Sequence, residues 1–481
     1  MYGIRQEELF SFEQLMDMQP ELKYAEILDP LPISAILHAI GKKSAFGRPE
    51  RNNTRAMIYS LIIGKLERMP FVKDIIHRLK TSAEFRLLCR FTGSDRVPSR
   101  ASYSRLITKL HQCGVLGDVQ DQLVSQSISE GFISGETLAM DSTHLHAWDR
   151  NPALEKRKPE EKVDNEPTLL PNEPTPAPLE KPKKPVKPKR EKKSKPIPKE
   201  ELDAWREQME VYESSLPLLE RKVEAMLPLS YEELVAQIPQ HPKTGAKGDP
   251  RRGGRLMFWY GYKGNVLVDT QSQFIVKSYL CSGHVSDQRL GIVLLKGMKS
   301  KFPMLPVKQV LADKGFDSLP VYQQVRRVGA FALIPIIRHA KKPPEGMDEH
   351  FRPVCKQGHA YQYDSFDAKY ETLKYTRPKA CKECPLQGDE CQKVYKIAIA
   401  QDIRRHTVPA RGSAKYDELF KRRTAVERVF AYLKLYFGLG KSRLSQAKAR
   451  VDFDLSCLVY NLCKYAVAKL NKEMESAMKA S

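Results

Sequence analysis

Two short apolar runs in this chain each end on an aspartate: Thr137-Leu-Ala-Met-Asp141-Ser-Thr143 and Val310-Leu-Ala-Asp313-Lys-Gly-Phe-Asp317. Runs this short and this apolar read as internal strands. A carboxylate at the mouth of a buried strand loses hydration and has to recover that energy from a partner. The fold must therefore give both strand ends a charge-compensated place, and a shared divalent cation is the simplest compensator.

A third acid stands near the C-terminal end, in Phe420-Lys-Arg-Arg423-Thr-Ala-Val-Glu427-Arg-Val-Phe-Ala-Tyr-Leu-Lys434. At the helical step of about 100° per residue, Phe420, Arg423, Glu427 and Lys434 fall within a sector of roughly 60°. Val426, Phe430, Leu433 and Phe437 form an adjacent stripe that can pack on a core. One carboxylate flanked by two cations suits a site that holds a metal ion and a phosphate together. The plain alternative is a solvated face with weak i,i+4 pairs. The two strand-end aspartates tip the balance toward a site.

The order Asp141, Asp313, Glu427 resembles that of the DDE transposases of bacterial insertion sequences, whose catalytic domain has the RNase H-like fold. One branch of them carries Tyr-x2-Arg-x3-Glu-x6-Lys around its last acid. Phe420, Arg423, Glu427 and Lys434 keep that spacing, with Phe in place of Tyr. In the family the missing hydroxyl would be expected beside a DNA phosphate; Tyr416, on about the same helical line, could replace it. The resemblance runs from about Arg48 to Lys469, interrupted by one long insert.

The resemblance implies an enzyme that cuts double-stranded DNA at element ends and joins the freed strand to target DNA. The three carboxylates would bind two Mg²⁺ or Mn²⁺ ions about 4 Å apart. Arg423 and Lys434, with Lys314 as a weaker candidate, would neutralise phosphates around the scissile bond. The active complex would be a homodimer. Two rivals are a nuclease of the same fold that does not join strands and a catalytically silent DNA-binding protein derived from a transposase. The intact acid triad argues against the second.

Composition agrees. A formal net charge of +22 fits a polyanionic partner, although charge does not separate DNA from RNA or anionic lipid. No apolar run approaches the roughly 20 residues that span a bilayer. The opening Met1-Tyr-Gly-Ile-Arg-Gln-Glu-Glu has no signal-peptide apolar region, so the expected location is the bacterial cytoplasm, at the nucleoid. Nine cysteines, an odd count, point to a reduced compartment.

The expected fold class is α/β, an RNase H-like mixed sheet flanked by helices. Residues 1–130 read as a helical DNA-binding or dimerisation domain, including a helix entered through a Ser99 cap that exposes Arg100, Arg105 and Lys109. Residues 131–150 open the catalytic core on the Asp141 strand; alternation turns His144 and His146 away from Asp141, as packing or DNA-proximal residues. Residues 151–252 read as a linker plus a helical insert. Twelve prolines lie between Asn151 and Glu200, Lys and Pro dominate Lys181 to Lys199, and a helical pattern resumes from Glu201 to Leu234. That basic stretch is either a phosphate-contacting arm or a solvated spacer.

Residues 253–337 resume the core. Met257 to Asp269 reads as a turn-linked pair of strands and Phe274 to Cys281 as another. A helix from about Asp287, the Asp313 strand, a helix around Leu319 to Arg327 and a strand from Ala330 follow. This order puts Asp141 on the first strand and Asp313 at the end of the fourth. Residues 416–481 carry the Glu427 helix and a closing helix.

Residues 338–415 form a Cys-rich insert. Cys381-Lys-Glu-Cys384 is a C-x2-C knuckle, with Cys391 after it and Cys355-x3-His359 before it. Cys355, Cys381, Cys384 and Cys391, with His359 as a substitute for one of them, suit a tetrahedral structural Zn²⁺. The alternative is reduced surface thiols. An insert with few apolar residues needs a staple, which favours zinc. Cys89, Cys113, Cys281, Cys457 and Cys463 read as small core residues.

Overall fold

The structure, a computed structural model, describes residues 9–41, 52–148, 183–188, 197–249, 253–337, 342–384, 391–441 and 444–480. The N-terminal octapeptide and most of the stretch expected to be an extended linker lie outside those residues.

Among the described residues eight helices precede the first strand: α1 (Phe12–Asp17), α2 (Pro20–Leu28), α3 (Ile33–Ile40), α4 (Thr54–Leu66), α5 (Val72–Thr81), α6 (Ala83–Leu88), α7 (Arg100–Cys113) and α8 (Val115–Ser129). Short polar side chains start several of them. Asn53 accepts from the Ala56 N–H and Ser99 from the Ser102 N–H, satisfying amides that the first turn leaves unpaired. α4 is buried along almost its whole length; Met57 to Ile63 is apolar except for Ser60, whose hydroxyl bonds the Met57 carbonyl and Tyr103 OH. Arg100, Arg105 and Lys109 are exposed on α7.

The core is a mixed sheet built on β1 (Thr137–His146). β1 pairs antiparallel with β3 (Arg255–Asp269) and parallel with β5 (Gln309–Leu311), which pairs parallel with β6 (Phe331–Leu333). β2 (Lys243–Asp249) and β4 (Ile275–Ser282) pair antiparallel with successive halves of β3. The order β4-β3-β1-β5-β6, three antiparallel strands followed by two parallel ones, is that of an RNase H-like sheet. α11 (Asp287–Lys301) and α12 (Leu319–Arg327) are the crossovers that parallel pairing needs.

β3 departs from the expected turn-linked pair: it is one continuous strand. Its glycines serve close packing instead of a turn. A Cβ on Gly261 would meet the Leu145 carbonyl oxygen at 2.0 Å, and one on Gly264 would meet the Phe453 ring at 2.6 Å. β2 lies within the stretch expected to be linker and helical insert, and β3 recruits it through seven paired residues, Lys243–Asp249.

Residues Arg150–Ile238 cluster as a separate compact unit. It contains α9 (Lys199–Ser215), a 3-10 turn (Val223–Met226) and α10 (Tyr231–Gln237). The helical pattern expected from Glu201 to Leu234 breaks at Leu216, which is extended because Pro217 follows it.

The C-terminal part holds α13 (Ala414–Lys421), α14 (Thr424–Leu435) and the 35-residue α15 (Gln446–Ala480). α15 packs Phe453 on β3, and its Asn461 side chain bonds both the N–H and the carbonyl of Ile275 at 3.0 and 2.8 Å. Among the described residues no helix is long and apolar enough to cross a membrane.

Between β6 and α13 lies a small antiparallel sheet of β7 (Gln362–Asp367), β8 (Thr372–Thr376) and β9 (Val394–Ala398). The Cys-rich insert, expected to be poor in apolar residues, has a core of its own. Tyr361, Leu373, Tyr375, Ile397, Ile399 and Ala410 pack together there. Its cysteines are therefore not its only source of order. Cys113, expected in the core, is exposed at the end of α7.

Arg404 ties this insert to the turn that follows β5. Its Nε and Nη2 donate to the two carboxylate oxygens of Asp317, at 2.7 and 2.6 Å, and the Asp317 side chain is fully buried. Removing one partner of such a pair strands a buried charge. Arg404→Gln should lower unfolding stability by about 3–5 kcal/mol, measured by urea denaturation, as the buried-pair argument requires. A loss below about 1 kcal/mol, the range of exposed pairs, would show that the contact is solvated.

Candidate active site

The parallel β1–β5 pairing sets Ala139 opposite Leu311. Asp141 and Asp313 each stand two residues further along extended backbone, so alternation places them level on one face. The Ser142 N–H donates to Asp141 Oδ1 at 2.8 Å, and the Gly315 N–H donates to Asp313 Oδ1 at 2.8 Å.

α14 brings the third acid. Arg423, at its N-terminus, places Nη2 2.5 Å from Glu427 Oε1 and Nη1 3.9 Å from Asp141 Oδ2. One guanidinium thus spans the first and third acids. Glu427 is about half exposed, whereas the Asp141 side chain is 24% exposed. Lys314 is exposed directly after Asp313.

The single helical line expected from Phe420 to Lys434 is broken. α13 ends at Lys421, and α14 begins at Thr424, so Phe420 belongs to a different helix from Glu427. Tyr416 does not replace the missing hydroxyl at a phosphate. It is 8% exposed, stacks on Phe420, and its OH accepts from Arg411 Nη1 at 3.0 Å.

A fourth acid, Asp287 in the first turn of α11, was not among the residues read from the sequence. Its Oδ1 accepts from Ser142 Oγ at 2.7 Å and from Lys263 Nζ at 3.0 Å. A Cβ built on Gly315 would lie 2.9 Å from Asp313 Oδ1 and 3.4 Å from Asp287 Oδ2, so both carboxylates border that glycine. In sequence Asp287 looks like an ordinary acid opening a helix.

Charge crowding is written into the site. Burial first, opposed by the Ser142 hydrogen bond and reinforced by the charges of Asp313 and Asp287, pushes the Asp141 carboxyl up to about 7; Arg423 counters it. Asp313 is raised by burial and by Asp287, against its Gly315 bond and Arg423. Burial and like-charge repulsion that make carboxylates harder to ionise are relieved by a cation, and all-oxygen donors suit a hard divalent ion. Among the described residues no three His, Cys, Asp or Glu side chains are already grouped as a metal site.

A basic cluster borders Asp141. Lys247 Nζ on β2 is 3.0 Å from His144 Nδ1, and His144 packs against Trp259 and His146. Burial and then Lys247 lower the Lys434 pKa, opposed by the charge of Asp141. Lys434, exposed on α14, is therefore within electrostatic reach of both that cluster and the first acid. Lys247 also escaped sequence reading, because nothing local distinguished it within a segment assigned to an insert.

In the insert, Cys381 Sγ and His359 Nδ1 are 3.5 Å apart. After burial, the neighbours that raise the Cys381 thiol are Cys355, Cys391 and Cys384. The other three cysteines nominated from spacing thus lie within electrostatic reach of Cys381, all four are free thiols, and no three of them are drawn together as a metal site.

Two family profiles match the chain. Residues 236–462 match a transposase DDE domain, and residues 11–109 match a transposase domain (DUF772). No curated protein matches. Among solved structures, the chain aligns with a piggyBac transposase in a synaptic complex with hairpin DNA. The alignment has 11% identity and a TM-score of 0.37, and covers 96% of this chain and 77% of that one. That score is too low to carry weight beside the profiles.

Burial, then Lys247, Lys434 and His146, push the His144 imidazole down to about 4. It should therefore be neutral at about pH 6, where an ordinary histidine is largely charged. Nitrogen–proton correlation spectra should show an unprotonated His144 ring there, and Lys247→Met should raise its pKa. A protonated ring at that pH would place the two lysines away from it.

Proposed function

We propose that this chain, which belongs to the insertion-sequence DDE transposases, carries out DNA cleavage and strand transfer with Asp141, Asp313 and Glu427 as its acids. The observation that carries this reading is the level placement of Asp141 on β1 and Asp313 two residues past the paired end of β5, with Arg423 spanning Asp141 and Glu427. Both ends of an element have to be cut in concert, which makes a homodimer the smallest assembly with one centre per end. A double-stranded DNA substrate and nine free thiols support a location at the nucleoid of a bacterial cytoplasm.

Asp141 and Asp313, joined by Glu427, would hold Mg²⁺ or Mn²⁺. When bound, such ions activate the attacking water or 3′-hydroxyl and stabilise the leaving oxygen. The protein's own contribution is positioning and charge. Arg423, now shared between two carboxylates, offers a planar fork that can turn to a phosphate when DNA enters. Lys434 presents an ammonium beside Asp141, where the reacting phosphate must lie. Lys314 flanks Asp313 from the solvent side.

The test uses DNA carrying the element's ends with Mg²⁺ and maps cut and joined products. Asp141→Asn should abolish both by orders of magnitude while end binding persists. Arg423→Gln should slow cutting more than it weakens binding, because its contact strengthens as charge develops. Full activity of Asp141→Asn sinks the assignment, and cutting without joining favours the nuclease.

We also propose that Cys355, Cys381, Cys384 and Cys391 bind a structural Zn²⁺, with His359 next to Cys381 as the alternative fourth ligand. The nearness of His359 and of the other three cysteines to Cys381 supports it. Elemental analysis of protein purified without chelators should find about one zinc per chain, as one tetrahedral site requires. Cys381→Ser with Cys384→Ser should release it. Because the insert has its own apolar core, that loss should loosen the insert without unfolding the rest of the chain. Protein free of zinc would leave only a thiol cluster.

A further inference from the structure

Lys263 is a buried lysine, 8% exposed, on the central strand β3. Burying an ammonium is costly unless acceptors surround it. It has two: the Val285 carbonyl at 2.8 Å and Asp287 Oδ1 at 3.0 Å. The same Asp287 oxygen accepts from Ser142 Oγ at 2.7 Å. Ser142 in turn gives its backbone N–H to Asp141 Oδ1 at 2.8 Å. A continuous chain of hydrogen bonds therefore runs from Lys263 through Asp287 and Ser142 to Asp141.

We propose that Asp287 is a positioning residue for the reaction: clamped by Lys263, it anchors the Ser142 side chain so that the Ser142 N–H fixes the Asp141 carboxylate. This rests on the reading of Asp141 as a catalytic acid. The geometry assigns each member a separate task. Strand alternation sends the Ser142 and Asp141 side chains to opposite sides of β1, so the hydroxyl can be tethered while the adjacent amide stays with the acid. Asp287 comes from α11, which follows β4 in sequence, so the tether also links the helix start to the first strand. Asp313 Oδ1 and Asp287 Oδ2 crowd the Gly315 position, where a Cβ would lie 2.9 and 3.4 Å from them, so no side chain stands there between the two carboxylates.

Groups that hydrogen-bond to metal-binding carboxylates set their orientation, and losing one costs about 10–100-fold in metal affinity or activity. Ser142→Ala removes the tether but leaves the Lys263–Asp287 pair whole, so it separates positioning from simple stability. With full-length protein, end DNA and Mg²⁺, Ser142→Ala should cut about 10–100-fold more slowly. Its Mn²⁺ affinity, read from the electron paramagnetic resonance of free Mn²⁺, should fall in parallel, while end binding is unchanged. Ser142→Thr keeps the hydroxyl and should restore both. Asp287→Asn should behave like Ser142→Ala, and the double variant should be no worse than the poorer single one, since both break one link. If Asp287→Asn does not fold, Ser142→Ala with its Thr rescue decides alone. Native cutting and Mn²⁺ binding by Ser142→Ala overturn the proposal, as do multiplicative losses in the double variant. Should Asp141→Asn also cut normally, the reading of the centre itself is what fails.

Discussion

The parallel pairing of β1 with β5 is the constraint on which the rest depends. Three residue pairs, Thr137 to Ala139 against Gln309 to Leu311, are enough to set Asp141 and Asp313 level. A slip of one residue in either strand would turn one carboxylate to the opposite face. The paired stretches are mostly buried, Thr137 to Ala139 fully and Val310 and Leu311 with them, so a slipped register would disturb a packed core. β3 secures the other edge of β1 over nine paired residues, Leu138 to His146, and its glycines let β1 and α15 approach closely.

Around that pairing the molecule concentrates charge that it cannot fully neutralise. After burial, the charges of Asp313 and Asp287 raise the proton affinity of Asp141, the charge of Asp287 raises that of Asp313, and Arg423 opposes the shift at both strand-end acids. On the far side of Asp141, Lys247, Lys434 and the neutral His144 make a positive border. A site with acids at its centre and ammonium groups at its rim is suited to a cation and a phosphate at once. The arrangement works against stability locally, and the closing helix and sheet offset it by burial elsewhere.

Much of this was legible in the sequence. The acids could be read because Asp at the end of a run such as Leu-Ala-Met or Val-Leu-Ala violates the local apolar pattern. The α12 limits, Leu319 to Arg327, and the Ser99 cap followed from periodicity and capping chemistry. What escaped had no local signature. Asp287 resembles any helix-opening acid, Lys263 any strand lysine, and Lys247 sat in a segment whose neighbours are prolines and lysines. The break between α13 and α14 also escaped, because both junction residues, Arg422 and Arg423, keep helical backbone angles. Periodicity therefore continued through a point where the helix itself does not.

The sequence by itself determined which residues must be buried, which strands end in carboxylates, and the family to which their order belongs. These are properties of composition and spacing along one chain, and the hydrophobic effect acts on them before any tertiary contact forms. Only the tertiary structure decided which charges meet. It put Asp287 beside Asp313, Lys263 beneath Asp287, Arg423 between Asp141 and Glu427, and Arg404 on Asp317. Electrostatic partnership depends on distance and desolvation across elements tens to hundreds of residues apart, and no local pattern encodes those.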